Sequence, residues 1–313
     1  MALRLRATPR LALPGTMRDV PTSLTTTLLT WFNHHGRHLP WREPGTSPWS
    51  ILVCEVMSQQ TPVSRVVPRW HEWQQRWPTP ADLAAADRSD VLRAWDRLGY
   101  PRRAIRLHEC AKAVVERFGG NLPTDVATLL TLPGIGQYTA AAVAAFAGRH
   151  RVVVADTNIR RVLARLHGEA GVPAHLRRFE LERAERMLPQ DPEQSVVFNE
   201  ALMELGALVC TARNPECESC PLQPHCQWFA AGKPADPTLR SRTQSWHGTD
   251  RQARGAIMAQ LRLLRDHQAL PREEALTAAS SDVSQAERAL SSLIADGLAQ
   301  EDERGWIRLA SSR

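Results

Sequence analysis

The chain has 313 residues, 43% of them hydrophobic, and no apolar run approaches the roughly 20 residues that span a membrane. Glycine and proline are too few for a disordered or collagen-like chain, so we expect a globular protein with more than one core. The net charge of +6 lies wholly in residues 1–233, with 28 basic and 22 acidic side chains, whereas residues 234–313 hold 11 of each. This excess suits a polyanionic partner, but an ordinary solvated surface also shows it.

Residues 1–21 precede the first periodic segment, and their scattered apolar residues do not form the core of a secretory signal. We predict a disordered tail there. From residue 22 onward helical periodicity dominates, with turns marked by proline and glycine, which predicts a mostly α-helical fold. Helix caps are predicted at Ser47, at Thr124 and at Thr157 or Asn158, each just before a periodic apolar segment.

The segment SPWSILVCEVMSQQT is predicted to form a helix from Pro48. Glu55 lies on the same face as the apolar Ile51 and Leu52. Most helical glutamates point to water, so one on an apolar face is either a pairing partner or a carboxylate with a raised pKa, which a general acid needs. Gln59 comes one turn later, and we expect the acid and this amide to share one cleft.

The segment LPGIGQYTAAAVAAFA, residues 132–147, places two glycines before a helix whose first aromatic residue is Tyr138. Gly134 and Gly136 can adopt positive φ and leave amides bare at the helix start, where a phosphate would be favoured. A tight turn between two packed helices explains the same pattern without a ligand.

The segment RVVVADTNIRRVLARL places Asp156 just before another helix. Asp, Thr and Asn are ordinary capping residues, so a structural role explains this triplet. The alternative is a second carboxylate that stabilises a sugar cation.

Four of the six cysteines fall in a C-x6-C-x2-C-x5-C pattern, and these are Cys210, Cys217, Cys220 and Cys226. Thiolates so close in sequence can converge on a tetrahedral zinc ion or on the irons of a cubane cluster, and the spacing leaves both open. Without a signal peptide, the pattern favours a metal or cluster site in a reducing compartment over disulfides.

Residues 233–248 are polar and lack periodicity, which predicts a linker. Residues 249–313 then read as three helices, the third with a Ser284 to Glu287 capping box, and a small hairpin around Gly305. This order predicts a winged-helix-like domain. Because the net charge of residues 234–313 is zero and the third helix offers one arginine beside one glutamate, we expect this domain to have a packing or protein-contact role rather than to read DNA.

Six motifs occur in one order along the chain: LPWR (Leu39 to Arg42), EVMSQQT, LGYPRRA, LPGIGQYTA, VADTNIRRVLAR and the cysteine pattern. With them the chain resembles the adenine DNA glycosylases of the MutY family, within the helix-hairpin-helix, iron-sulfur superfamily that includes endonuclease III. The resemblance covers roughly residues 22 to 230. It implies a [4Fe-4S] cluster on the four cysteines and functional roles for Asp156 and the glycine hairpin.

The resemblance also implies a domain division. Residues 22–44 and 156–232 would form the iron-sulfur cluster subdomain, and residues 45–155 a helical subdomain with the helix-hairpin-helix. The family's usual carboxy-terminal domain, related to nucleotide-triphosphate hydrolases, reads 8-oxoguanine. We expect it to be absent, because only 80 residues follow residue 233, and this short tail resembles that of actinobacterial members. How 8-oxoguanine is selected then stays open.

The implied activity is that of a monofunctional glycosylase, which excises adenine mispaired with 8-oxoguanine or guanine. The adenine flips into a cleft between the subdomains, Glu55 donates a proton toward N7, and Asp156 stabilises or traps the oxocarbenium ion. Tyr138 and Asn158 would position the sugar and Asp156. Relatives of endonuclease III have a lysine where this chain has Tyr138, and tyrosine cannot form the Schiff base that permits strand cleavage.

The resemblance further implies a set of DNA contacts. Gln59 and Tyr100 would wedge into the base stack, with Gln60 beside them, Arg42 would contact the flipped base, and the amides around Gly134 and Gly136 would hold a phosphate. The partner would be double-stranded DNA with an A·8-oxoguanine or A·G mispair, bound by a monomer. We expect a cytoplasmic, nucleoid-associated location and no membrane partner.

Three rival functions remain. Thymine glycosylases acting on T·G mismatches share the tyrosine and both carboxylates, but tend toward arginines at Gln59 and Gln60. A bifunctional lyase is disfavoured by Tyr138. A non-catalytic iron-sulfur protein that binds DNA or senses redox state is disfavoured because both carboxylates are present.

Overall fold

The computed structural model describes residues 22–236, 246–265 and 268–311. The predicted tail at 1–21 and the centre of the predicted linker lie outside the described residues. The mostly α-helical fold is confirmed. The helices are α1 (Thr22–His35), α2 (Pro48–Ser58), α3 (Val63–Arg76), α4 (Pro80–Ala85), α5 (Arg88–Trp95), α6 (Arg102–Phe118), α7 (Val126–Leu129), α8 (Gln137–Phe146), α9 (Thr157–Leu166), α10 (Arg178–Met187), α11 (Pro192–Leu208), α12 (Gln227–Ala230), α13 (Asp250–Leu263), α14 (Arg272–Ala279) and α15 (Val283–Ala295). The strands are β1 (Leu270–Pro271), β2 (Ala299–Glu301) and β3 (Trp306–Leu309).

Helix starts follow local capping, and the predicted cap is confirmed at Ser47, whose side chain accepts from the N–H of Ser50. The other three predicted caps are wrong. An aspartate within two residues of the predicted position caps the helix in each case: Asp125 for α7, Asp156 for α9 and Asp282 for α15. Aspartate is among the preferred capping residues, and its carboxylate accepts from a bare N–H group at the helix start.

The first core lies between α2, α3, α5, α6 and α8 and is rich in tryptophan. Trp73 packs edge-on against Trp77 and Trp95, with ring centroids 4.9 and 5.6 Å apart. Such edge-to-face pairs add to the stabilisation that burial of the large rings provides. The core therefore fixes α2, which carries Glu55, from several sides.

The second core packs α1 against α11 and α9, although α1 and α11 are far apart in sequence. Helix α8 contributes to both cores: Ala140, Val143 and Ala144 belong to the first, and Ala142 and Ala145 to the second. Its alanines are small enough for a helix to lie in close contact on two sides. The AAAVAAFA segment thus joins the two cores.

The third core is formed by α13, α14, α15 and a small sheet. The sheet order is β1-β3-β2, all antiparallel, with Ala299 opposite Leu309 and Leu270 opposite Ile307. The predicted three helices and hairpin are confirmed, as in a winged helix, whereas β1 was missed because it has two residues and one is proline. Leu92 of α5 and Ile105 of α6 belong to this same core. A membrane-spanning helix is absent from the described ranges.

Gly206 of α11 allows a close approach to the start of α9. A Cβ at this position would lie 2.6 Å from Cβ of Asn158 and 3.0 Å from its Cα. Contacts this short to atoms fixed by the backbone cannot be relieved by a side-chain rotation. The glycine therefore sets the distance between α11 and the segment that carries Asp156 and Asn158.

We expect Gly206→Ala to lower the midpoint of thermal unfolding, since overpacking a core contact costs about 1–3 kcal/mol. The matched control is Gly255→Ala in α13, where the nearest atom to an added Cβ is 3.8 Å away. That variant should gain stability, because alanine is favoured over glycine inside a helix by about 1 kcal/mol. If both variants gained stability, the close contact would not constrain the helices.

Candidate active site

One pocket collects five of the residues singled out in the sequence. It has a volume of about 290 Å³, close to the lower limit of roughly 300 Å³ for small-molecule sites. Its lining includes Arg42, Glu55, Tyr138, Asp156 and Asn158. These residues come from the turn before α2, from α2 itself, and from the starts of α8 and α9, so the fold brings together segments more than 100 residues apart.

Glu55 is buried, with 7% of its surface exposed. Burial raises the pKa of its carboxyl from 4.5 to about 7; the hydrogen bond from Tyr138 lowers the pKa, the nearby Asp156 raises it, and Arg42 lowers it. The Tyr138 hydroxyl donates to Oε2 of Glu55 at 2.9 Å. Near neutral pH a large share of Glu55 therefore carries a proton that it can donate.

Asp156 caps α9, and its hydrogen bonds distinguish it from Glu55. Oδ1 accepts from the N–H of Ile159 at 2.6 Å, and Oδ2 accepts from Nδ2 of Asn158 at 2.8 Å. Burial raises the pKa of Asp156 above its usual 3.8, although these hydrogen bonds and the charge of Arg161 limit the rise. Such donors favour the ionised carboxylate, so the pocket contains one carboxyl group suited to hold a proton and one suited to carry a charge.

Tyr138 is a neutral donor in this site. Burial and the charges of Glu55 and Asp156 raise the pKa of its phenol well above the usual value of 10.0. Its hydroxyl therefore keeps its proton at physiological pH, and the side chain can orient a carboxylate but does not supply a nucleophilic anion.

Arg42 lies on the pocket wall but is already engaged by acidic residues of α11. Its Nη2 donates to Oε2 of Glu204 at 3.0 Å, and its Nε lies 3.9 Å from Oε1 of Glu200. Arg37 donates to the same Glu204, which is almost fully buried. Sequence reasoning missed both glutamates, although their four-residue spacing on a helix was a usable signal.

The predicted wedge residues lie at the rim rather than in the pocket. Gln59 donates to Oγ1 of Thr139 at 3.3 Å and lines a separate depression of about 200 Å³ beside Arg106 and Gly134. The expectation that Glu55 and Gln59 share one cleft is therefore wrong. Helix α2 ends at Ser58, so the helical spacing that would align Gln59 with Glu55 does not continue.

Gln60 and Tyr100 are both exposed and both have positive φ, 54° and 47°. Arg103, which sequence reasoning missed, holds both turns. Its guanidinium donates to five backbone carbonyls, those of Val56 at 2.9 Å, Met57 at 3.4 Å, Gln59 at 2.6 Å, Leu98 at 3.2 Å and Gly99 at 3.1 Å. Burial lowers the pKa of Arg103 to about 10, which still leaves it charged at neutral pH.

The glycine hairpin before α8 is confirmed as a turn, with φ of 77° at Gly134. The expectation of positive φ at Gly136 is wrong: its φ is −100°, because it occupies the capping position of α8 in extended backbone. An added Cβ on Gly134 would lie 2.7 Å from Cβ of Arg106, so the turn packs tightly on α6. Among the described residues, no side chain caps α8, which leaves its first amides available.

The four cysteines lie between the end of α11 and the start of α12. Arg165 of α9 donates to Sγ of Cys210 at 3.2 Å and to the carbonyl of Thr211 at 2.8 Å, so a cation lies beside the thiols. Burial raises the pKa of Cys220 to about 11, and the other three cysteines contribute. Four neighbouring thiols are a suitable donor set for an iron-sulfur cluster. Within the described ranges, no three histidine, cysteine, aspartate or glutamate side chains are placed to hold a single metal ion.

Comparisons with known proteins show which families this chain matches. A model of the HhH-GPD superfamily of base excision DNA repair proteins matches residues 53–185, and one of the iron-sulfur binding domain of endonuclease III matches residues 210–226. An adenine DNA glycosylase of Mycolicibacterium smegmatis is 52% identical over 285 residues, which cover 90% of this chain and 94% of that protein. The cysteine loop thus resembles an iron-sulfur site, which decides between the two metals that the spacing left open.

Two solved structures share the fold. A thermostable thymine-DNA glycosylase has a TM-score of 0.61 and 28% identity, over 66% of this chain and 95% of that one. A non-covalent complex of endonuclease III with DNA has a TM-score of 0.57 and 21% identity, over 67% of this chain and 96% of that one.

We expect Glu55→Gln to stabilise the protein at pH 8 and not near pH 4.5. The pKa of Glu55 is about 7 in the folded state and 4.5 for an ordinary glutamate. The wild type therefore loses stability as the pH rises from the lower to the higher of these two values, by about 3 kcal/mol at most. The amide does not ionise and avoids that loss. Unfolding measured at both pH values checks the difference.

The matched control is Glu193→Gln, at an exposed carboxyl whose pKa the hydrogen bond from Arg149 lowers. Stability from such a group is present above its unfolded pKa, so this variant should lose stability at pH 8. An equal effect of Glu55→Gln at both pH values would contradict the raised pKa.

Proposed function

The chain belongs to the adenine DNA glycosylase family, within the HhH-GPD superfamily of base excision DNA repair proteins, and we propose that the adenine it excises is mispaired with 8-oxoguanine or guanine. Enzymes of this family cleave the N-glycosidic bond of adenine in DNA. The observation that carries the proposal is the buried Glu55, with a pKa of about 7, in one pocket with Asp156.

The chemistry follows from the different settings of the two carboxyl groups. Glu55 donates its proton to N7 of an adenine flipped into the pocket, so that the base leaves as a neutral molecule. The positive charge that develops on the sugar is stabilised by the ionised Asp156, which the N–H of Ile159 and the amide of Asn158 hold in place. Water then adds to the sugar carbon and releases a proton, which completes the hydrolysis. Tyr138 orients Glu55 through its hydrogen bond.

Monofunctional action is supported by the same tyrosine. A strand-cleaving glycosylase needs an amine that forms a Schiff base with the sugar. Tyr138 has no amine, and its raised pKa keeps its hydroxyl neutral. The product is therefore an abasic site in an intact strand.

The remaining site residues are proposed to bind DNA and the cofactor. Gln59, Gln60 and Tyr100 meet the base stack from the rim, and the bare amides of the Gly134–Gly136 turn bind a phosphate. For Arg42 to contact the flipped base, its Nη2 has to turn from Glu204, to which it donates, toward the pocket. The cofactor is a [4Fe-4S] cluster, and Cys210, Cys217, Cys220 and Cys226 would hold it, linking the end of α11 to α12.

The described cores support part of the predicted domain division. The first core contains residues from 49 to 144 and the second joins α1 to residues after 153, close to the proposed boundaries at 45 and 155. Helix α8 belongs to both cores. We propose that the two subdomains meet at this helix and that both pack against it.

The substrate is tested with end-labelled duplexes holding A opposite 8-oxoguanine, A opposite G, or T opposite G, under single-turnover conditions. We expect breaks at adenine only after hot alkali, because the enzyme removes the base and leaves the strand intact. Breaks without alkali would refute monofunctional action. Breaks at thymine would favour the activity named for the thymine-DNA glycosylase of similar fold.

The two carboxyl roles are tested with Glu55→Gln and Asp156→Asn. Each should slow excision at least about 100-fold, since a positioned proton donor contributes roughly 10²–10⁴-fold. Glu55→Gln should still bind duplex, because the amide keeps the shape of the acid. Asparagine is also a good helix cap, so Asp156→Asn should keep the thermal stability of the wild type while it loses the charge. Excision at the wild-type rate by either variant would remove that residue from the mechanism.

A further inference from the structure

Tyr100 is contacted by a residue from the carboxy-terminal part of the chain. The guanidinium of Arg251, in the first turn of α13, lies 5.1 Å from the centroid of its ring. The partly buried Arg103 approaches the same ring at 5.5 Å. Tyr100 is 49% exposed, so its ring is held by two cations and still presents about half of its surface to solvent.

Trp246 extends this exposed surface. Arg251 lies 5.4 Å from the centroid of the indole ring, which is 48% exposed. Other contacts hold the segment in place: Thr249 donates to the carbonyl of Trp246 at 2.9 Å, and Gln285 of α15 donates to the carbonyl of Gly248 at 2.9 Å. Tyr100, Arg251 and Trp246 therefore form an anchored, exposed row of two aromatic rings with a cation between them, here named the YRW row.

The surroundings of the YRW row carry positive charge. Arg102 and Arg106 of α6 are both more than half exposed and line the depression that also contains Gln59. Asp296 pairs with Arg102 at 3.3 Å and Glu109 lies 3.9 Å from Arg106, so the exposed Arg251 is the cation that directly contacts the two rings. Although residues 234–313 have a net charge of zero, Arg251 thus places a positive charge beside Tyr100, the proposed wedge.

Aromatic rings alternating with arginine suit one ligand class in particular. Nucleic-acid bases stack on aromatic faces, and arginine binds phosphate and stacks on bases. Tyrosine, tryptophan and arginine are also common in protein interfaces. The choice of DNA therefore rests on Tyr100, which the proposed function already places against the base stack.

We propose that the carboxy-terminal unit, taken here as the described residues from Trp246 onward, is part of the DNA-binding face. Trp246 and Arg251 bind the DNA strand into which Tyr100 inserts. This inference rests on the proposed function, because it takes Tyr100 as a wedge. It replaces the expectation that residues 249–313 serve only packing or protein contacts. Arg251 binds a phosphate and braces Tyr100, and Trp246 stacks on a base or sugar of the same strand.

The test measures the affinity for a duplex with A opposite 8-oxoguanine, by fluorescence anisotropy, in the Glu55→Gln background so that the substrate stays intact. Trp246→Ala and Arg251→Ala should each weaken binding about 10-fold. Arg251→Ala should also reduce the slope of log affinity against log salt by about 1, since one phosphate contact is lost. Trp246→Phe should restore most of the affinity because it keeps an aromatic face.

The matched controls are Trp306→Ala and Arg304→Ala, two exposed residues of the same unit on or beside the β2–β3 hairpin. Both should bind as the parent does. Equal losses in the controls and the test variants would indicate general destabilisation of the unit and overturn the proposal.

Failure of this inference can be told from failure of the proposed function. If the wild type excises adenine and Trp246→Ala and Arg251→Ala bind as the parent does, the carboxy-terminal unit is not a DNA contact, and this face is left to a protein partner. If the wild type neither binds the duplex nor excises adenine, the proposed function itself is wrong, and this inference falls with it.

Discussion

The burial of a carboxyl group in the middle of α2 is the constraint on which the site depends. Nine of the eleven residues of this helix are buried, and Glu55 is one of them. A carboxylate there is unfavourable unless it is protonated or hydrogen-bonded, because the interior solvates charge poorly. The tryptophan core that fixes α2 thus also lets Glu55 keep the proton that its chemistry needs, and a looser core that admitted water would lower both the stability of the protein and the pKa of Glu55.

Small side chains determine how closely the second carboxylate can approach the first. The alanines of α8 let that helix contact two cores, and Gly206 lets α11 pass close to Asn158. Asp156 then serves both as a helix cap and as the proposed charge that faces the sugar. Because one side chain fulfils both needs, the position of the charge is fixed by the backbone of α9 and not by a flexible side chain alone.

Features that repeat along one helix or one loop could be predicted from the sequence, and contacts between distant segments could not. Helical spacing placed Glu55 on an apolar face, and the cysteine spacing marked the cofactor loop. Helical spacing gave a wrong prediction for Gln59, because α2 ends at Ser58 and the next side chain takes a different direction. Arg103 could not be predicted, since its five carbonyl partners come from the end of α2 and from the turn before α6, two segments about 40 residues apart in sequence. The link from Tyr100 to Arg251 likewise exists only in the folded chain.

The packing of α1 on α11 has a consequence for how the chain leaves the ribosome. Helix α1 ends at His35 and α11 begins at Pro192, about 160 residues later, so at 5–20 residues per second α1 waits roughly 8–30 seconds for its partner. The tryptophan core needs only residues up to about 144 and can form first. During synthesis from the amino terminus, the apolar face of α1 therefore stays exposed after the first core has formed. We expect a chaperone to act on this segment of the nascent protein.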